Sequence, residues 1–220
     1  NLSGQKMYSR IEEFPPDGLH IELFPNGLKS EEGRYLNGRK EGLWTVWYPW
    51  GEKKTETHYN ENLEEGRFRH WYENGQLANE SWSQKDLQNG HYRRWYRSGQ
   101  KMYEGKFLKG SIWEDKGWRP DGKQSETLIT DGDGIIIDYY ENGQVWLESH
   151  YHQGQLFYAK GWDPDGEPNE TCVEQGEGVE AWILADGRKM LVAFEGGQET
   201  DFQPADIDFH YPSCLTSLFL

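Results

Sequence analysis

Glycines recur in pairs along this chain, and the pairs recur in turn. Gly18, Gly42, Gly66, Gly90, Gly134 and Gly178 each have a second glycine nine residues later, at Gly27, Gly51, Gly75, Gly99, Gly143 and Gly187. The first four pairs step by 24 residues and the next two by 44, so the long steps read as double units carrying an extra hairpin. Repetition on this scale predicts a stacked array in which each unit packs on its neighbours and the fold grows in one dimension.

Between the paired glycines lies a short aromatic-rich run: 44–48, 68–72, 92–96 and 135–140. Each run is long enough for one strand and too short for a helix. The second glycine closes turns such as Pro25-Asn26-Gly27, Glu73-Asn74-Gly75, Glu141-Asn142-Gly143 and Ala185-Asp186-Gly187. Asn or Asp before Gly is the strongest short hairpin signal, because these residues tolerate positive φ. After the turn, 75–82 and 143–151 read as a second strand, with an aromatic seven or eight residues past the turn glycine: Tyr35, Tyr59, Trp82, Phe107, Tyr151 and Phe194. The expected fold is therefore all-β, an elongated array of successive antiparallel β-hairpins with terminal caps. Residues 1–17 are assigned to an N-terminal cap, 18–196 to the array (regular units to about 109, longer double units after it) and 197–220 to a C-terminal cap. Two segments, 116–122 and 160–166, are copies of each other 44 residues apart, each with a Pro-Asp-Gly corner.

Composition fits a thin sheet stabilised by rings: 26 glycines, 11 tryptophans, 13 tyrosines and 9 phenylalanines. Each Trp or Tyr buries a large area, which offsets the lack of a thick core. The formal charge of −15 argues against nucleic acid and against an anionic membrane surface as the main target. No apolar run is long enough to span a membrane as a helix. Cys172 and Cys214 lack C-x-x-C spacing, so zinc is not indicated, and a disulfide and two thiols both remain open. The chain starts at Asn1, which fits either a removed export signal or a designed boundary.

Stacking aligns equivalent positions into columns. Five residues past the first glycine stand Leu23, Trp47, Trp71, Trp95, Tyr139 and Ile183, and the next position holds Phe24, Tyr48, Tyr72, Tyr96, Tyr140 and Leu184. Neighbours along a strand face opposite ways. Aromatics therefore fall on both faces, either as ladders that hold the array together or as an exposed platform for a partner. A second column is acidic: Glu32, Glu56, Glu80, Glu104 and Glu148, broken by Val192. Like charges on adjacent strands repel, so either Lys29, Lys53, Lys101 and Lys189 relieve them or the stripe docks a basic partner. The candidate partner-binding residues are thus Trp47, Trp71, Trp95 and Tyr139 with Glu56, Glu80, Glu104 and Glu148.

No catalytic constellation stands out, neither a supported Ser or Cys nucleophile nor a Gly-Lys-Ser loop, and the expectation is that the chain is not an enzyme. His150 and His152 share a strand face but spacing supplies no third ligand, and 131–134 and 163–166 lack the rest of a calcium loop. No metal and no cofactor are expected.

The segments Trp71-Tyr72-Glu73-Asn74-Gly75-Gln76 and Tyr139-Tyr140-Glu141-Asn142-Gly143-Gln144, each followed by a Glu and then an aromatic, resemble the bacterial MORN-variant repeat over about 18–196. Proteins built of this repeat include YwqK-type antitoxins. The likeness implies a long sheet of hairpins and a non-enzymatic, immunity-like protein that neutralises a toxin or secreted effector, here one with a basic surface. It would act as a monomer or in complex with that partner, in a bacterial envelope or periplasm in preference to the cytoplasm. The alternative is a scaffold array of the envelope that binds proteins or glycans. Lipid headgroups, a third reading, are disfavoured by the charge.

Overall fold

Two kinds of turn alternate along the chain and make the connections between strands tight among the described residues. The first closes with glycine alone in the left-handed region: Gly27, Gly51, Gly75, Gly99, Gly122, Gly143 and Gly166 have φ between 80° and 97°. In each, the glycine N–H donates to the residue three before it, as Gly75 to Tyr72 at 2.9 Å, and that residue's N–H donates across the loop, as Tyr72 to Gln76 at 2.8 Å. This is the three-residue hairpin loop with a bulge. Asn26, Asn74 and Asn142 are not among the positive-φ residues, which corrects the reason given for their recurrence. Their carboxamides act as couplers instead. Asn74 Oδ1 accepts from Gln76 N at 3.1 Å while Nδ2 donates to the Arg97 carbonyl one repeat on at 2.9 Å, and Asn142 does the same toward Gln144 and Pro164.

The second kind was not foreseen. Asn37-Gly38, Glu61-Asn62, Lys85-Asp86, Lys109-Gly110, Asp131-Gly132, Gln153-Gly154 and Gly196-Gly197 all have positive φ at both positions, the geometry of two-residue hairpin turns whose twist matches the strands. Each repeat is thus joined to the next by a hairpin as tight as the one inside it.

The computed structural model describes residues 15–183 and 189–200. Among these the strands are β1 Gly18–Leu23, β2 Lys29–Leu36, β3 Arg39–Trp47, β4 Lys53–Asn60, β5 Leu63–Trp71, β6 Leu77–Gln84, β7 Leu87–Gln88, β8 Gly90–Trp95 and β9 Lys101–Leu108. They continue as β10 Ser111–Trp118, β11 Gln124–Thr130, β12 Asp133–Tyr139, β13 Val145–His152, β14 Gln155–Trp162, β15 Pro168–Glu174, β16 Glu177–Ile183, β17 Lys189–Glu195 and β18 Gln198–Thr200. All pairings are antiparallel and follow chain order in a single sheet, with β6 pairing both β7 and β8 around Asn89. The described residues contain no helix. The copies at 116–122 and 160–166 are ordinary repeat hairpins, β10–β11 and β14–β15. Their turns carry the same bonds, Gly122 N to Arg119 O and Gly166 N to Asp163 O at 2.9 Å. The 44-residue steps are therefore departures in sequence and not in architecture. The Ala185-Asp186-Gly187 turn, most of both assigned caps, and Cys214 lie outside the described residues.

One face of the sheet carries the core. Trp44, with 2% of its surface exposed, lies across Gly33, where a Cβ would stand 2.0 Å from the indole. Farther along, Tyr92, Tyr103, Ile129 and Ile136 form one cluster and Leu147, Leu156, Ala159 and Val173 another. Gly105 leaves room for the first cluster, since a Cβ there would lie 2.1 Å from the Glu114 carbonyl and 2.8 Å from Tyr92.

The tyrosine column proves to be a clamp. Tyr48, Tyr72, Tyr96 and Tyr140 each donate a hydroxyl hydrogen bond to the tryptophan carbonyl of the following hairpin, Trp71, Trp95, Trp118 and Trp162, at 2.8–2.9 Å. Loss of one neutral bond of this kind is expected to cost about 1 kcal/mol. Tyr72→Phe should lower the unfolding free energy, measured by chemical denaturation, by that amount. Phe at position 24, which naturally occupies the equivalent place, sets no such bond, so Phe24→Tyr should leave stability within about 0.5 kcal/mol.

Candidate functional site

The face opposite the core bears a charge ladder. Cross-strand register places Thr45 opposite Glu56, Glu56 opposite Arg69, Arg69 opposite Glu80, Glu80 opposite Arg93, Arg93 opposite Glu104 and Glu104 opposite Lys116. The acidic column occupies the second strand of each repeat, and a basic column on the first strand interleaves it. Arg69 lies 3.2 Å from Glu80 and 3.5 Å from Glu56, and Arg93 lies 3.2 Å from Glu104 and 3.7 Å from Glu80.

Lysines complete the pattern, as expected. Lys53 meets Glu56 at 2.5 Å and Lys101 meets Glu104 at 2.7 Å, and Lys29 pairs with Glu32. The same ammonium groups lie over the tryptophan column: Lys29 over Trp47 at 5.6 Å, Lys53 over Trp71 at 6.0 Å and Lys101 over Trp118 at 5.0 Å. In the third repeat Leu77 replaces the lysine, and Glu80 draws on arginines alone. Glu104 is held below the ordinary carboxylate range, first by its hydrogen bond from Lys101 and then, against some desolvation, by Arg93.

Three of the eight candidate residues, Glu56, Glu80 and Glu104, thus stand in this row, Glu80 and Glu104 with cations on both sides and Glu56 with Arg69 on one side and Thr45 on the other, while Trp47, Trp71 and Trp95 stand in a neighbouring column opposite Lys53, Leu77 and Lys101. Reversing Glu56, Glu80 and Glu104 to lysine would line up six successive cations, from position 56 to Lys116, so such variants report on folding before they report on any partner. The arginines that decide this were missed because only the aromatic positions of the first strand were read as columns. Arg69 and Arg93 stand three residues past Gly66 and Gly90, and that spacing was visible.

The other two candidates, Tyr139 and Glu148, come together in a groove of about 550 Å³ across β11–β14, with Arg119, Glu126, Gln144 and Trp162 also lining it. Here the ladder gives way to Ile135 and Ile137. Tyr139 is buried, donates its hydroxyl to Glu126 at 2.9 Å and carries the Arg119 guanidinium 5.1 Å from its ring centre. Burial and the Glu126 carboxylate push Tyr139 up to about 12. Glu126 lies below the usual carboxylate range because its own backbone N–H and the Tyr139 hydroxyl bond to it. Glu148 lies 2.7 Å from His150 Nε2, and Lys160 sits 5.1 Å from the Trp162 ring. Glu126 and Trp162 were not foreseen, since each belongs to a hairpin read as an insert.

Of the acidic turns weighed for calcium, the one at 131–134 has another role. Asp133 accepts from the Gln153 N–H at 3.1 Å and meets His152 at 2.7 Å, linking two turns. Among the described residues, the group with metal-ligating geometry is His20, Glu22 and Glu31, far in sequence from the histidines weighed for that role. No described helix is long and apolar enough to cross a membrane.

A comparison with curated proteins returns no match. Residues 64–81 and 132–153 match the family model described as MORN repeat variant. The first covers β5 to the middle of β6, the second covers β12 and β13, and both center on a glycine-closed hairpin. The chain therefore carries MORN-variant repeats at these two places, set in a sheet whose other described glycine-closed hairpins repeat the same turn.

Proposed function

We propose that this chain is a non-enzymatic binding protein that captures a basic protein partner, a toxin or secreted effector that it neutralises, on the face bearing the charge ladder and the groove. The observation that carries the reading is the groove. Two carboxylates, Glu126 and Glu148, stand there beside the rings of Tyr139 and Trp162, with Arg119 as the one arginine in its lining. A lysine or arginine side chain entering it gains charge–charge attraction and ring contact together. The ladder glutamates are already matched within the sheet, so the attraction for a cation is concentrated at the groove. The net charge of −15 adds long-range steering of a basic partner. The MORN-variant matches support the coarser statement, a repeat protein that binds other molecules.

The test uses a lysine- and arginine-rich peptide as probe. Calorimetric titration at low salt is expected to give saturable binding, and the double variant Glu126→Gln, Glu148→Gln is expected to weaken it at least about tenfold, or about 1.4 kcal/mol. Its circular dichroism should be unchanged. Equal affinity for the double variant, or a preference for a neutral oligosaccharide that stacks on Trp162, would overturn the basic-partner reading.

A further inference from the structure

We propose that His20, Glu22 and Glu31 form a binding site for a borderline divalent cation, with Zn²⁺ as the best fit. His20 and Glu22 are two apart on β1, so their side chains leave the sheet on the same face. Glu31 on β2 is the direct cross-strand partner of Glu22. The three ligand atoms all lie within 4.8 Å of one another.

The spacing fits coordination as well as an ion pair. His20 Nε2 lies 3.4 Å from Glu22 Oε1. Two ligands about 2.0–2.2 Å from a tetrahedral zinc stand about 3.3–3.6 Å apart, so this pair already spans one edge of the polyhedron. Glu22, whose side chain is 61% exposed, is free to rotate the remaining distance toward Glu31. The imidazole is held in place by Tyr35 edge-on at 5.4 Å and Trp44 at 5.7 Å. Two carboxylates and a neutral imidazole balance a dication, and they leave a fourth position facing a groove of about 450 Å³ that Glu22 and Glu31 border.

Charge on this part of the sheet points the same way. Glutamates placed directly opposite each other are destabilising, and every other glutamate row described above is interleaved with cations. Lys40 reaches Glu31 at 3.2 Å and lies 3.9 Å from the Trp44 ring, whereas among the described residues Glu22 meets no lysine or arginine. Lys40 is thus a competitor for Glu31 and leaves the pair half neutralised.

The probe is Zn²⁺ alone, titrated by calorimetry into the untagged, chelator-treated chain, with Co²⁺ absorption and quenching of tryptophan fluorescence as independent readouts. One equivalent is expected to bind, with the Co²⁺ spectrum of a tetrahedral or five-coordinate site. Glu22→Gln and His20→Asn are expected to weaken binding at least about tenfold each, because each removes a ligand. Lys40→Met, which removes the competitor, is expected to tighten it. Glu22 is exposed, so its variant keeps the fold, and circular dichroism verifies this. Absence of saturable binding, unchanged affinity in Glu22→Gln, or equal or weaker affinity in Lys40→Met would overturn the site.

Discussion

Asp115→Asn is expected to stabilise the protein by about 3–4 kcal/mol at pH 8 and by almost nothing at pH 4. Asp115 projects from β10 into the core between Tyr92 and Ile129, with 2% of its surface exposed, and its buried carboxylate oxygens make no well-formed hydrogen bond, although the Tyr92 hydroxyl and the Lys116 N–H are close enough to act on them. Burial, reinforced by Asp138 and opposed by Tyr92, the Lys116 N–H and Arg94, pushes its carboxyl up to about 7 from 3.8. The folded state holds the proton more tightly than the unfolded chain, so the full contribution is present below pH 4. It is lost as pH rises toward 7, at a slope of about 1.4 kcal/mol per unit. Nearby Tyr92 and Tyr103 are themselves raised well above 10 by burial and stay neutral over this range. Chemical denaturation of both proteins from pH 4 to 8 is the measurement, and stability curves that run parallel would refute the role of Asp115.

Trp44→Ala is expected to cost about 4 kcal/mol, the loss for a fully buried large ring. Gly33→Ala should cost about 2–3 kcal/mol, because the new methyl group meets the indole at 2.0–2.6 Å and the ring must leave its place. The two losses should not add. With Trp44 already alanine, the Gly33 methyl fills part of the space the ring vacated, so the double variant should be no less stable than Trp44→Ala alone. Denaturation midpoints of the four proteins close the cycle, and additive losses would show that the ring does not rest on Gly33. Trp71, half-buried on the ladder face, should lose less than Trp44 on truncation, since the ring that packs fully is the one over a glycine.

The glycine pairs carried the hairpin order because, among the described residues, the second glycine of each pair sits where only a residue without Cβ is comfortable, at φ near 80–97°. That is a local constraint, and local constraints are written in sequence. The same holds for Lys29, Lys53 and Lys101, three residues before Glu32, Glu56 and Glu104, whose reach along one strand needs no knowledge of its neighbours. The two-residue turns were harder to see, because Glu61-Asn62, Lys85-Asp86 and Gln153-Gly154 do not share a residue type that marks them.

The sequence alone determined that this chain is a one-dimensional array of hairpins, with aromatic and acidic columns, and it did so through spacing. Which strand lies beside which residue was settled only by tertiary structure, because register between strands depends on bulges and turn lengths that shift each row by a residue. Register puts Arg69 between Glu56 and Glu80 and turns an apparent acidic stripe into a neutral ladder. It also brings Glu31 against Glu22 beside His20, and it gathers Glu126, Tyr139, Glu148 and Trp162 from four strands into one groove.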